Sequence, residues 1–204
     1  MPGPIRLRDY VDRIDTTALS DLAQRAPWEI TSSADAIVRA LLGPCGGEYA
    51  VFDGVAVHHT ALIEPGAALK PPVLIGPYCF VASTALLRGG CWLESRVIIG
   101  PACELKSSFV FEGAKLAHLN FVGDSVLGSD VNVEAGAMIA NYRNEKADKR
   151  IRIGEIDTGV DKFGALVGDG SRIGANAVIA PGALLAPRSI VARLALVDQA
   201  PHGA

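Results

Sequence analysis

Two cationic side chains, Arg88 and Lys106, stand 18 residues apart, and His118 follows twelve residues after the second. Whether they can act together depends on the path of the chain between them. If 18 residues make one turn of a repeating coil, Arg88 and Lys106 stack in adjacent rungs on one face, roughly 5 Å apart. Two cations so close repel unless water screens them or an anion lies between them. A phosphate would suit, with the guanidinium as bidentate donor and the ammonium as a point charge. The plainer reading is a pair of solvated cations that splay apart. His118 falls on a different face, out of reach within one subunit but not in a cleft between subunits packed side by side. An imidazole can serve as general base near neutral pH, although a lone histidine is more often structural.

The coil that this argument needs is written in the hydrophobic pattern. Val57, Ile63, Leu69, Ile75, Val81, Leu87, Leu93, Ile99, Leu105, Phe111 and Ala117 are apolar positions in strict steps of six. Two steps of five follow, through Val122 to Leu127, and six resumes at Val133 and Ile139. After an interruption the column returns at Val167, Ile173, Ile179, Leu185 and Val191. A helix repeats near 3.6 and an open sheet near 2. A period of six means a short strand plus a tight turn, three of which close a triangular coil around an aliphatic core. The first 50 residues read differently. Tyr10, Val11, Ile14, Leu19 and Leu22 follow helical spacing with Asp15 or Thr16 as N-cap, and Pro27-Trp28 break the segment. Ser32 or Ser33 then caps a second helix carrying Ile37, Val38, Leu41 and Leu42. The expected layout is a helical arm at 1–50, a β-helix at 51–197 with a loop inserted at about 143–161, and a tail at 198–204. The arm is expected either to cap the open end of the β-helix or to bind something.

Metal chemistry is not expected. Cys79, Cys91 and Cys103 are twelve apart, which is two faces of the triangle, so their thiols point to three different faces. His58 and His59 are adjacent, His118 lies some three coils further on and His202 is in the tail, so no three imidazoles converge on zinc. Free thiols suit a reducing compartment. Half of the 204 residues are hydrophobic, 20% are charged, and the formal net charge is −3. That balance argues against a nucleic-acid surface. No apolar run approaches the roughly 18 residues of a membrane span, and the N-terminus lacks a signal-peptide core, so a cytoplasmic location is expected.

The stretch ELKSSFVFEGAKLAHLNFVGDSVLGSDVNVEAGAMIANYR, Glu104 to Arg143, resembles the acetyltransferase domain of bifunctional bacterial glucosamine-1-phosphate acetyltransferase/N-acetylglucosamine-1-phosphate uridyltransferases. It resembles still more the archaeal sugar-1-phosphate nucleotidylyltransferases carrying that domain, and AHLNFVGDSVLGSDVN is the specific part. Looser similarity extends over about residues 50–190. The resemblance implies a left-handed parallel β-helix of hexapeptide repeats and a homotrimer. It also implies transfer of acetyl from acetyl-CoA to the amine of an amino-sugar 1-phosphate, with no metal required for that step. It implies His118 as general base, Glu104 as its orienter, and Arg88 with Lys106 as the phosphate clamp. Asn132, Asn141 and Tyr142 match positions lining the amino-sugar and acyl-donor sites, and Ala135 a backbone contact to the coenzyme. A further family lysine falls on Lys146 or Lys149, in a loop that could also supply cations for the CoA phosphates or be a solvated hairpin.

This sequence departs from the family at three points. Phe121 stands where the family has tyrosine, Glu134 where it has glycine, and no nucleotidyltransferase domain or Gly-rich nucleotide loop is present. Making a nucleotide sugar is therefore not expected, and a separate nucleotidyltransferase is a candidate partner. Two alternatives remain open: an acyltransferase acting on a sugar nucleotide such as a UDP-N-acetylglucosamine-like acceptor, and a non-catalytic sugar-phosphate-binding module.

Overall fold

The computed structural model describes residues 5–199; His202 and most of the expected tail lie outside them. The chain is a left-handed parallel β-helix. Three faces of seven parallel strands each form the walls. The first face runs from Val55–His58 to Ala183–Leu185, the second from Leu62–Ile63 to Ile190–Val191, and the third from Ala68–Leu69 to Leu196–Val197. One antiparallel strand, Tyr49–Phe52, is added to the outer edge of the first face. Each strand is only two to four residues long, so every third of a coil ends in a corner. The corner between the second and third faces takes a left-handed residue in every rung: Gly66, Thr84, Ala102, Leu119, Gly136, Asn176 and Leu194. A side chain there costs about 1–2 kcal/mol. Hydrogen bonds from the rungs above and below hold the conformation, as when Gly136 N–H donates to the His118 carbonyl at 2.9 Å.

The inward column is aliphatic and dry from Ile75 to Ile179. Its register corrects the sequence expectation at one place. The residue paired with Leu93 and Leu127 is Val110, not Phe111, and the residue paired with Ile99 and Val133 is Leu116, not Ala117. The five-residue steps therefore run from Leu105 to Val110 and from Val122 to Leu127, both at the corner between the third and first faces. Serine hydroxyls make the shorter corner possible. Ser108 Oγ donates to Lys106 O (2.7 Å) and accepts from Ser125 N–H (3.0 Å), while Ser125 Oγ donates to Gly123 O (2.7 Å).

Phe111 is fully buried all the same, on the outside of the first face, edge-on to Trp92 at 5.2 Å. There it belongs to a second core with Leu74, Phe109, Val126 and Leu166 of the first face and Leu7, Val11, Ile14, Leu19, Ile30 and Val38 of the arm. The arm thus lies along a face of the β-helix rather than over its open end. Burying each of these large side chains contributes about 1.5–3 kcal/mol, which fastens the arm. Its first half is three 3-10 turns, Leu7–Asp9, Ile14–Thr16 and Ser20–Leu22, not the expected helix. The hydroxyls of Thr16 and Thr17 capture the carbonyls of Arg13 and Ile14, both at 2.9 Å, in competition with a continuing helix. Pro27 does not break a helix but opens one, α1 (Pro27–Ser32), where its missing N–H costs nothing. Ser33 precedes α2 (Ala34–Leu42) as expected, without a side-chain cap bond.

Candidate active site

Arg88 and Lys106 do stand in register on the third face, followed by Gly123. The expected need for an anion between them is not met, because the protein supplies its own. Arg88 Nε donates to Glu104 Oε1 at 2.7 Å, and Lys106 Nζ reaches both oxygens of Asp124 at 2.7 and 2.8 Å. The face carries alternating charges, and their mutual repulsion is relieved inside the chain. Glu104 is accordingly engaged with Arg88, and within one chain no hydrogen bond joins it to His118. Asp124 is nearly buried and also accepts from the Asn141 amide, so one carboxylate ties Lys106 to Asn141.

His118 sits, exposed, at the corner that leads from the second face into the third. Its neighbour in the next rung of that corner is Ala135, since Gly136 N–H bonds to the His118 carbonyl. Buried Asn120 stiffens the corner, its amide donating to Glu134 O (2.8 Å) and Ala137 O (3.1 Å). Asn132 lies on the second face of the same rung as Ala135, paired with Lys115 and Arg172. The side chain of Glu134 turns away to Arg193, at 2.7 and 2.8 Å, and to the Ala175 N–H, interactions that hold its carboxyl below the usual range. Phe121 is half-buried on the third face in register with Glu104 and Met138. Along each rung of this face the chain thus passes from the His118 corner, over Phe121, to the Lys106–Asp124 corner.

Beyond that second corner opens a groove of about 560 Å³. Gly89, Lys106, Ser107 and Asp124 form its floor, the arm provides Thr31, Ser32, Ala34 and Asp35, and the returning loop provides Val160, Asp161 and Lys162. Lys162 is the residue that sequence reasoning missed. The two lysines it offered for this loop go elsewhere. Lys149 Nζ lies 5.4 Å from the centroid of the exposed Tyr142 ring and donates to Asn144 O at 2.7 Å. Lys146 lines a separate cavity of about 220 Å³ with Arg143, Asp148, Arg150 and Arg152. The loop is not a free hairpin. Its strands Arg152–Ile153 and Ile156–Asp157 pair, Ile151 is fully buried, and Phe163 packs edge-on against Trp28 of the arm at 6.0 Å. Another cleft of about 500 Å³, between the arm and the first face, contains none of the residues singled out above.

The cysteines stay apart. Cys91 belongs to the first face, and Cys79 and Cys103 precede strands of the second and third. All three are buried, and burial pushes the thiols of Cys79 and Cys91 up to about 12. Among the described residues no helix is long and apolar enough to cross a membrane.

No family model matches the chain. It is 41% identical over 71 residues to a bifunctional sugar-1-phosphate nucleotidylyltransferase/acetyltransferase of Sulfurisphaera tokodaii, covering 34% of this chain and 18% of that protein. It is 34% identical over 131 residues to the bifunctional protein GlmU of a Synechococcus strain, covering 64% of this chain and 20% of that protein. The chain therefore spans about a fifth of the length of these curated relatives. Its homologues are bifunctional proteins of this kind, matched at modest identity. Among solved structures, the Arabidopsis UDP-N-acetylglucosamine acyltransferase is 20% identical, with 69% of this chain and 58% of that chain covered and a TM-score of 0.36.

Proposed function

We propose that the chain is a CoA-dependent acyltransferase that moves acetyl from acetyl-CoA to the amine of an amino-sugar 1-phosphate. The observation that carries this reading is the order of groups along the third face: a base at one corner, and cations with a groove at the other. In the proposed step the amine nitrogen attacks the thioester carbonyl and the C–S bond breaks. His118 accepts the proton lost by nitrogen, and the departing thiolate is protonated. The anionic end of the acceptor lies toward Lys106 and Lys162, with Arg88 behind them. Asn141, oriented by Asp124, keeps a second amide hydrogen for the acyl or sugar group. CoA approaches the His118–Ala135 corner.

The working unit in this proposal is a homotrimer. The arm occupies the first face, so neighbours meet the second and third. The third face offers them an outward column of Leu86, Phe121, Met138, Val178 and Leu196, interrupted only by Glu104. Any carboxylate orienting His118 then comes from across a subunit boundary, a role open to a neighbour's Glu104. A separate nucleotidyltransferase would use the product, in a cytoplasmic setting.

The test is thiol release from acetyl-CoA in the presence of glucosamine 1-phosphate. His118→Ala should lower kcat by at least about 100-fold. Its melting temperature should not change, because the imidazole is exposed and only the backbone of His118 is hydrogen-bonded. Equal turnover by both proteins removes His118 as the base, and sugar-phosphate binding without turnover favours the non-catalytic module.

A further inference from the structure

The sequence left open whether the acceptor is a sugar phosphate or a sugar nucleotide, and it assigned the arm no part in the choice. The structure brings the arm to the one place where these acceptors differ. They share the sugar and the first phosphate; a nucleotide continues beyond that phosphate. On the third face the direction beyond Lys106 leads off the β-helix at the corner carrying Gly89, Ser107 and Asp124, and there the junction of α1 and α2 stands.

Its position is fixed closely. A Cβ on Gly90 would lie 2.5 Å from the Ala34 carbonyl carbon and 2.6 Å from the Asp35 nitrogen, so the arm backbone rests directly on that corner. Gly90 also has φ +92, a conformation that glycine adopts freely. On the other side Phe163 locks the loop to Trp28, so the two walls of the groove are joined beneath it. The wall facing Lys106 is Thr31, Ser32 and Asp35. Asp35 is held by Arg39 at 2.6 Å and keeps a carboxylate on the wall, with Asp161 on the opposite side. The two lysines of the groove therefore serve one phosphate, while a second phosphate would face carboxylates and helix backbone.

We propose that the arm is part of the acceptor site: Thr31, Ser32 and Asp35 close the groove beyond Lys106, admitting an amino-sugar monophosphate and excluding an acceptor whose phosphate bears a further group. This rests on the acyl-transfer reading above. The experiment compares glucosamine 1-phosphate with UDP-glucosamine as acceptors, measuring kcat and KM for each and KM for acetyl-CoA. Wild type should favour the monophosphate in kcat/KM. Ser32→Trp, which fills the groove from the wall, should raise the monophosphate KM about tenfold or more while the acetyl-CoA KM holds. The double variant Ser32→Ala/Asp35→Ala, which lowers the wall, should narrow the preference about tenfold through the nucleotide's KM. Melting curves separate these effects from loss of fold. If wild type uses the monophosphate but neither wall variant changes a KM or the preference, the arm is not part of the site, and wild-type preference for the nucleotide also overturns the inference. Turnover of neither acceptor overturns the acyl-transfer reading, and this inference with it.

Discussion

The ion pair of Lys106 and Asp124 allows a quantitative test that needs no substrate. Both side chains are largely out of water, 17% and 6% exposed, with the ammonium 2.7–2.8 Å from both carboxylate oxygens. Removing one member of a fully buried pair strands the other and costs about 3–5 kcal/mol. Lys106 keeps a narrow path to solvent along which its ammonium can swing, so Asp124→Asn should cost about 2–3 kcal/mol. Lys106→Met should cost about 3 kcal/mol or more, because Asp124 is the drier partner and would keep only the Asn141 amide. The double variant should recover about 1–2 kcal/mol relative to the sum of the two, since neither charge is then left alone. Urea unfolding followed by the fluorescence of Trp28 and Trp92 measures all four proteins at one fixed protein concentration, because assembly adds to apparent stability. A loss below about 0.5 kcal/mol for Asp124→Asn, or strict additivity in the double variant, would show that the pair is solvated and that the corner is not held by it.

Two further outcomes follow from buried titratable groups. Of the four cysteines, only Cys45 is partly exposed, and burial raises every thiol, those of Cys79 and Cys91 up to about 12. A disulfide-exchange reagent at pH 8 should therefore label the native protein slowly at one site and all four thiols once urea is added; rapid native labelling of two or more contradicts the fold described. Burial also pushes the Glu94 carboxyl up, an effect that Arg13 partly offsets and Asp169 reinforces. A folded pKa above the ordinary value of about 4.3 means that this contribution is complete below that pH and lost as pH rises through the folded pKa. Melting temperature measured across that window should fall less with rising pH in Glu94→Gln than in wild type, and equal slopes would count against it.

How much of this could be read in the sequence depended on whether the period survived. The six-residue step gave the coil, the aliphatic core and the stacking of Arg88 on Lys106, because each inward residue was isolated among turn residues. It failed at Phe109-Val110-Phe111, where three apolar residues adjoin. Counting by six chose Phe111, whereas the shortened corner turns Val110 inward and sends Phe111 to the arm. The arm's helical spacing was real as a burial pattern, since Leu7, Val11, Ile14 and Leu19 are all buried, but the local threonine bonds decided the conformation. Lys162 was lost because the column stops for the inserted loop, and the resemblance was then aligned from Tyr142 forward. Counting back from the resumed column at Val167 would have reached it, five residues earlier.

Asp124 was missed for a reason more instructive than alignment. In a coil of 18 residues equivalent positions superpose, so a cation would find only whatever stands in its own column, here Gly123. The 17-residue coil from Val110 to Leu127 removes one corner residue, and Asp124, with φ +44, turns its carboxylate beside the ammonium instead of above it. The arithmetic that identified the cations thus could not identify their counter-charge, because the counter-charge exists only where the repeat is broken. The same break frees the corner for the arm and the returning loop. A functional reading of such a coil should therefore start from its irregular rungs, and here these hold Lys106, Asp124 and the floor of the groove.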